Sequence, residues 1–137
     1  MTEKGTLTVT VVEAKNLKDE GFTGDCELFV KLILDARNAQ ATTKKNDLNP
    51  TYNETFNFNI DGDKYIYIEC WDKDDVIGTA DLKLDKVFSS GYEEEWIKME
   101  METKGEVKLI LDFIYISLSK SERPYKNLIR IQITSHS

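Results

Sequence analysis

No apolar run in this 137-residue chain is longer than a few residues. A membrane-spanning helix needs about twenty, so none is predicted. The opening residues Met-Thr-Glu-Lys-Gly-Thr lack the apolar stretch of a secretory leader. Position 2 is not glycine and the closing Thr-Ser-His-Ser has no cysteine, so neither lipid-anchor signal is present. Cysteine occurs only at Cys26 and Cys70. With no leader expected, these read as free thiols in a cytoplasmic protein, and the Asn53-Glu54-Thr55 sequon reads as accidental. Histidine occurs once, at His136, and the two cysteines are far apart, which excludes a zinc site of ordinary spacing. The same scarcity leaves no Ser-His-Asp or Cys-His set, and no glycine-rich phosphate loop occurs. Basic residues are in deficit: 18 Lys and Arg against 25 Asp and Glu give a net charge of −7. Nucleic acid repels such a chain and is excluded as a partner. An anionic membrane repels it too, unless a local basic patch or bound cations reverse the field.

What is present is ordinary for one packed domain, with 40% hydrophobic and 31% charged residues. Leu7, Val9 and Val11 alternate with Thr6, Thr8 and Thr10, which predicts a strand over about 6–14. Further strands are predicted over 29–34, 39–45, 54–60, 65–71, 77–84, 95–101 and 106–116, with one helical turn over 85–90 ended by Gly91. Eight short strands separated by turn signals predict an all-β, eight-stranded antiparallel β-sandwich. The domain is expected over 1–117. A linker-like Ser117–Pro124 leads into the tail 118–137, which carries a second alternation, Leu128, Ile129, Ile131 and Ile133, expected to add an edge strand.

The segment Asn49-Pro50-Thr51-Tyr52-Asn53-Glu54-Thr55-Phe56-Asn57-Phe58 carries the most information. Proline fixes its own φ and biases its predecessor away from helix, so Asn-Pro marks a turn. Phe56, Phe58 and Ile60 then alternate with polar residues as in a half-buried strand. Asn-Pro, an aromatic, then Asn-Glu-x-Phe-x-Phe resembles the hallmark segment of C2 domains, the β-sandwich modules of protein kinase C, synaptotagmin and many peripheral membrane proteins. The resemblance extends over about 5–116. Gly5–Leu17 is similar to the family's opening strand, and Phe29-Val30-Lys31-Leu32 to its aromatic-Val-Lys strand. Trp71-Asp72-Lys73-Asp74 with Ile77-Gly78 resembles its third-loop region, and Lys104-Gly105-Glu106-Val107 through Phe113 its closing strand. This order resembles the type II, permuted topology.

The resemblance gives the acidic residues a place. Asp19, Glu20, Asp25 and Glu27 fall in the first loop, and Asp72, Asp74 and Asp75 in the third. The family sets these loops side by side, which implies a mutually repelling group of carboxylates relieved by a cation. Calcium suits it, taking about six to eight oxygen ligands in loose geometry. An EF-hand does not, because a loop opening at Asp72 puts Ile77 where glycine is needed and Lys83 where glutamate is needed. The implied metal ligands are Asp19, Asp25, Asp72, Asp74 and Asp75, with Glu27 additional. Two departures from the family pattern stand against them. Ungapped alignment between Asn16-Leu17 and Phe29-Val30 puts Gly21 and Glu27 at the two loop-one aspartate positions. Asp19 and Asp25 keep the six-residue spacing only with a two-residue shift. In the third loop Asp75 follows Asp74 directly, so the usual intervening segment is missing.

For lipid contact the resemblance implies Phe22 at the apex of loop one, and Lys31, Lys44 and Lys45, with Arg37, as a basic patch on one sheet face. Trp71, Trp96, Tyr65, Tyr67 and Phe113 read as core or half-buried residues without a ligand role. The expected function is a non-catalytic module that binds anionic phospholipid membrane in a calcium-responsive manner at the cytoplasmic side. The alternative is a calcium-independent module that binds a protein partner, or lipid through its basic face.

Overall fold

Alternation of apolar and polar residues sets the strands. The computed structural model describes residues 2–19, 22 and 24–116; the expected edge strand in 118–137 lies outside them, as do Glu20 and Gly21. The strands are β1 (Lys4–Lys15), β2 (Leu28–Asp35), β3 (Asn38–Ala41), β4 (Thr51–Asp61), β5 (Tyr65–Asp72), β6 (Asp75–Lys83), β7 (Tyr92–Lys98) and β8 (Glu106–Tyr115). A short helix, α1 (Asp85–Ser90), precedes β7. They form two four-stranded antiparallel sheets, ordered β4-β1-β8-β7 and β3-β2-β5-β6. The first strand leads directly into the first long connection. The Gly105-led last strand closes the sheet between β1 and β7.

The core lies between the sheets and uses every second residue. Leu7, Val9 and Val11 of β1 and Val107, Leu109, Leu111 and Phe113 of β8 face Leu28, Val30 and Leu32 of β2 and Ile66, Ile68 and Cys70 of β5, all essentially fully buried. β1 shifts register between Val11 and Glu13 against both neighbours. This bulge lets Ala14 face inward where strict alternation would send it out. At the far end, Phe113 packs edge-on against Phe88 of α1 (4.7 Å) and Tyr115 (4.8 Å).

Several strand ends differ from expectation, and hydrogen bonds give the reason for two of them. β3 stops at Ala41, not Lys45, because Thr42 enters the ladder with its side chain. Thr42 N–H donates to Val30 O, while Val30 N–H donates to Thr42 Oγ1, each at 2.9 Å. β7 starts at Tyr92, not Glu95. Gly91, at φ 79°, donates its N–H to Val87 O to end α1, and the left-handed turn leads straight into the strand.

Candidate functional site

The first connection (β1–β2), the β3–β4 connection and the β5–β6 turn share one end of the sandwich, and the Asn-Pro segment clamps the first two. Asn49 Oδ1 accepts the N–H of Asn16, which itself adopts φ 57°. Pro50 O accepts the N–H of Ala14. Tyr52 Oη donates 2.7 Å to Leu28 O at the start of β2. Both Glu54 carboxylate oxygens take Thr43 N–H, and Oε2 takes the Thr43 hydroxyl at 2.7 Å. On the other flank, Thr103 Oγ1 donates 2.9 Å to Leu17 O and accepts the N–H of Gly105. The root of loop one is thus held from two sides before any charged side chain is placed.

Lys18 follows Leu17, and its ammonium lies 2.7 Å from Asp72 Oδ2, with the two side chains 22% and 11% exposed. Asp72 Oδ1 accepts the backbone N–H of Glu27 at 2.9 Å. Burial alone would raise the Asp72 pKa. The Lys18 hydrogen bond, the Glu27 N–H and the charges of Lys18 and Lys73 outweigh it and hold the carboxyl below its ordinary value. Glu27 also accepts Lys73 N–H through its carbonyl (3.0 Å), stitching loop one to the β5–β6 turn.

That turn contains only Lys73 and Asp74, between paired Asp72 and Asp75, with Lys73 at φ 57°. Asp19, Asp25, Glu27, Asp74 and Asp75 all have exposed side chains. The structure therefore brings the two loops together, but not their carboxylates as a ligand set. Among the described residues no three acidic, histidine or cysteine side chains lie close enough to share a metal ion. The physical reason is twofold: the two-residue turn leaves Asp74 and Asp75 exposed, and Lys18 takes the one covered carboxylate, Asp72. As arranged, these side chains do not fit the oxygen-rich shell that calcium requires.

Phe22 is not a free apex. Its N–H donates to Asp19 O (2.9 Å), its ring packs half-buried against the core, and Lys18 Nζ stands 4.8 Å from the ring centre. An aromatic with an apolar floor and a cation above it has little left to offer a lipid interface.

The basic residues divide. Arg37 lies in the β2–β3 turn at the other end of β2, where its N–H bonds Asp35 Oδ1, so it is not part of the patch. Lys45 is exposed and pairs through its backbone with Leu28. Lys31 and Lys44 do share a face, around a feature that sequence reading passed over. Phe29 and Trp71 are cross-strand partners and stack 5.7 Å apart at 13°. Lys44 Nζ lies 5.5 Å from the Phe29 ring centre and Lys31 Nζ 5.8 Å from that of Trp71. The indole N–H donates to Glu69 Oε1 at 3.0 Å. The signal for this array was the alternation itself: Phe29 and Lys31 are out of phase with buried Leu28, Val30 and Leu32. Lys18 could have been noticed only through its position beside Leu17.

Both thiols are buried and neither is activated. Burial, then Asp72, raises Cys26, and burial pushes Cys70 up to about 12.

Comparison with known proteins gives a consistent picture. The family described as C2 domain matches residues 5–99. Synaptotagmin-4 of Arabidopsis thaliana is 30% identical over 112 residues, 76% of this chain and 20% of that protein. Extended synaptotagmin-3 of Mus musculus is 30% identical over 120 residues, 80% of this chain and 14% of that protein. The chain thus spans a fifth or less of the length of these relatives. Among solved structures, a C2 domain-containing protein superposes with TM-score 0.74 at 28% identity, covering 87% of this chain and 95% of its own. A single C2 domain of a plant Extended Synaptotagmin 1 superposes with TM-score 0.73 at 20% identity, covering 86% and 100%.

Proposed function

The chain belongs to the C2 domain family, and from that membership we propose a non-catalytic membrane-docking module that binds anionic phospholipid through the Phe29, Trp71, Lys31 and Lys44 face. The observation that carries this reading is the aromatic stack flanked by two ammonium groups. Stacked rings give an amphipathic surface suited to the headgroup zone, and lysines beside them meet phosphate while their stems lie on the rings. Each lysine near an anionic surface contributes about 1 kcal/mol. The net charge of −7 makes a local cationic face necessary, because the molecule as a whole is repelled. Lys45, exposed near the start of β2, adds to the same field.

A second reading is calcium-responsive docking through Asp19, Asp25, Glu27, Asp72, Asp74 and Asp75. It is favoured by the two hydrogen bonds that join the acidic first connection to the acidic β5–β6 turn, Glu27 N–H to Asp72 and Lys73 N–H to Glu27 O. Sedimentation with phosphatidylcholine vesicles, with and without phosphatidylserine, separates the two. Binding to the anionic vesicles in a calcium chelator supports the aromatic-basic face. Binding only when calcium is added supports the loops. Absence of binding in both conditions removes the membrane reading and directs attention to a protein partner.

A further inference from the structure

We propose that Lys18 is the resident cation of the loop end: its ammonium does at Asp72 what a bound metal ion would otherwise do, and its presence keeps calcium out. Three features separate this contact from an ordinary surface ion pair. The first is enclosure. Lys18 Nζ is 2.7 Å from Asp72 Oδ2, the pair is largely covered, and the Phe22 ring covers the ammonium from another side. The second is saturation. Asp72 Oδ1 already accepts the N–H of Glu27, so each carboxylate oxygen is engaged by a partner that an incoming ion would have to displace or share. The third is preorganisation. Leu17 is pinned by the Thr103 hydroxyl and Asn16 by the Asn49 side chain, so the backbone that delivers Lys18 is fixed independently of the ion pair.

A cation tethered this way competes with free ions at high effective concentration and costs little entropy on each encounter. Divalent calcium must displace it and still find about six oxygens, in a site where Asp19, Asp25, Glu27, Asp74 and Asp75 are exposed to solvent. The two-residue β5–β6 turn suits this arrangement. A self-contained ion pair needs no long loop to wrap an ion, whereas a calcium shell does.

The test is a calcium titration of the metal-stripped, full 137-residue chain, followed by calorimetry and by the amide resonances of Glu27 and Lys73, which flank Asp72. Wild type is expected to leave both amides unmoved up to about 1 mM calcium, the weak end of the range for extracellular calcium modules. Lys18→Gln uncovers the Asp72 carboxylate and is expected to bind calcium about tenfold more tightly than wild type, with both amides shifting. Lys18→Gln combined with Asp72→Asn is expected to lose that gain. Lys18→Arg keeps the positive charge and is expected to stay silent. If Lys18→Gln does not fold, wild type and Lys18→Arg still decide: a micromolar calcium response at Glu27 and Lys73 in either overturns the assignment. A Lys18→Gln protein that folds yet titrates like wild type overturns it as well. None of these readouts involves a membrane, so failure of vesicle docking and failure of the Lys18 assignment are separate results.

Discussion

Lys18 and Glu93 are both charged side chains drawn into covered positions, with opposite outcomes. Lys18 meets a counter-ion. Glu93, on the edge strand β7, is only 9% exposed and meets another acid. Burial first, then hydrogen bonding to the Glu95 carboxyl and its charge, push Glu93 up to about 7; Lys86 opposes this and Asp85 adds to it. One Glu93 oxygen has no hydrogen-bond partner among the described residues. Protonation supplies the missing contact, since a neutral Glu93 can donate to Glu95. The folded protein therefore holds a proton that the unfolded chain, titrating near 4.5, gives up. The resulting stabilisation is complete below pH 4.5 and is lost as pH rises through about 7. Glu93→Gln keeps a donor and cannot ionise. Urea unfolding is expected to find it about 1–2 kcal/mol more stable than wild type at pH 8 and nearly equal near pH 4.5. Equal stabilities at pH 8 would show that the pair costs the native state nothing. None of this was visible in the Glu93-Glu94-Glu95 run, which reads as solvated surface until β7 turns Glu93 inward.

At the scale of elements, the strands were legible because their inner faces alternate without interruption, as Leu28, Val30 and Leu32 do. Their ends were less so, because contacts distant in sequence set them. β3 is cut short by the Thr42 hydroxyl bonding Val30, twelve residues away. β6 is crossed by the segment between β7 and β8, through Thr79 N–H to Glu100 O and Thr103 N–H to Ile77 O. That crossing is tight at Gly78, where an added Cβ would overlap Thr103 Cγ2 and press against Met99 Cβ and Glu100 O, both at 3.2 Å. Gly78→Ala is expected to lower stability by about 1–3 kcal/mol in denaturant unfolding, the usual range for overpacking. Adding Thr103→Ser removes the offending methyl while keeping the hydroxyl that holds Leu17 and Gly105. The double variant is expected to recover part of the loss. No recovery would place the strain on the backbone of Glu100 instead. The Ile-Gly of the family pattern is thus a packing requirement in this chain.

For the whole molecule, the docking reading predicts both a magnitude and a salt response. Replacing Lys31 and Lys44 together by Ala removes two surface cations, about 2 kcal/mol, and is expected to weaken binding to anionic vesicles about 30-fold. Raising ionic strength is expected to weaken wild type more than the double variant, since fewer charges remain to be screened. A double variant that binds like wild type would move the contact off this face. The sequence by itself determined the sandwich, its eight strands, the family and the place of the Asn49–Phe58 segment within it. Each of those rests on local alternation or on a contiguous string of residues. Only the tertiary structure decided what that segment clamps and which charges meet. Lys18 and Asp72 are far apart along the chain and touch because β1, β2 and β5 bring their ends together. Phe29 and Trp71 stack because the antiparallel register of β2 and β5 sets them opposite each other. Carboxylates counted in two loops were expected to call for a metal ion. Side-chain direction, turn length and one lysine determine whether they can hold it, and those are properties of the folded chain.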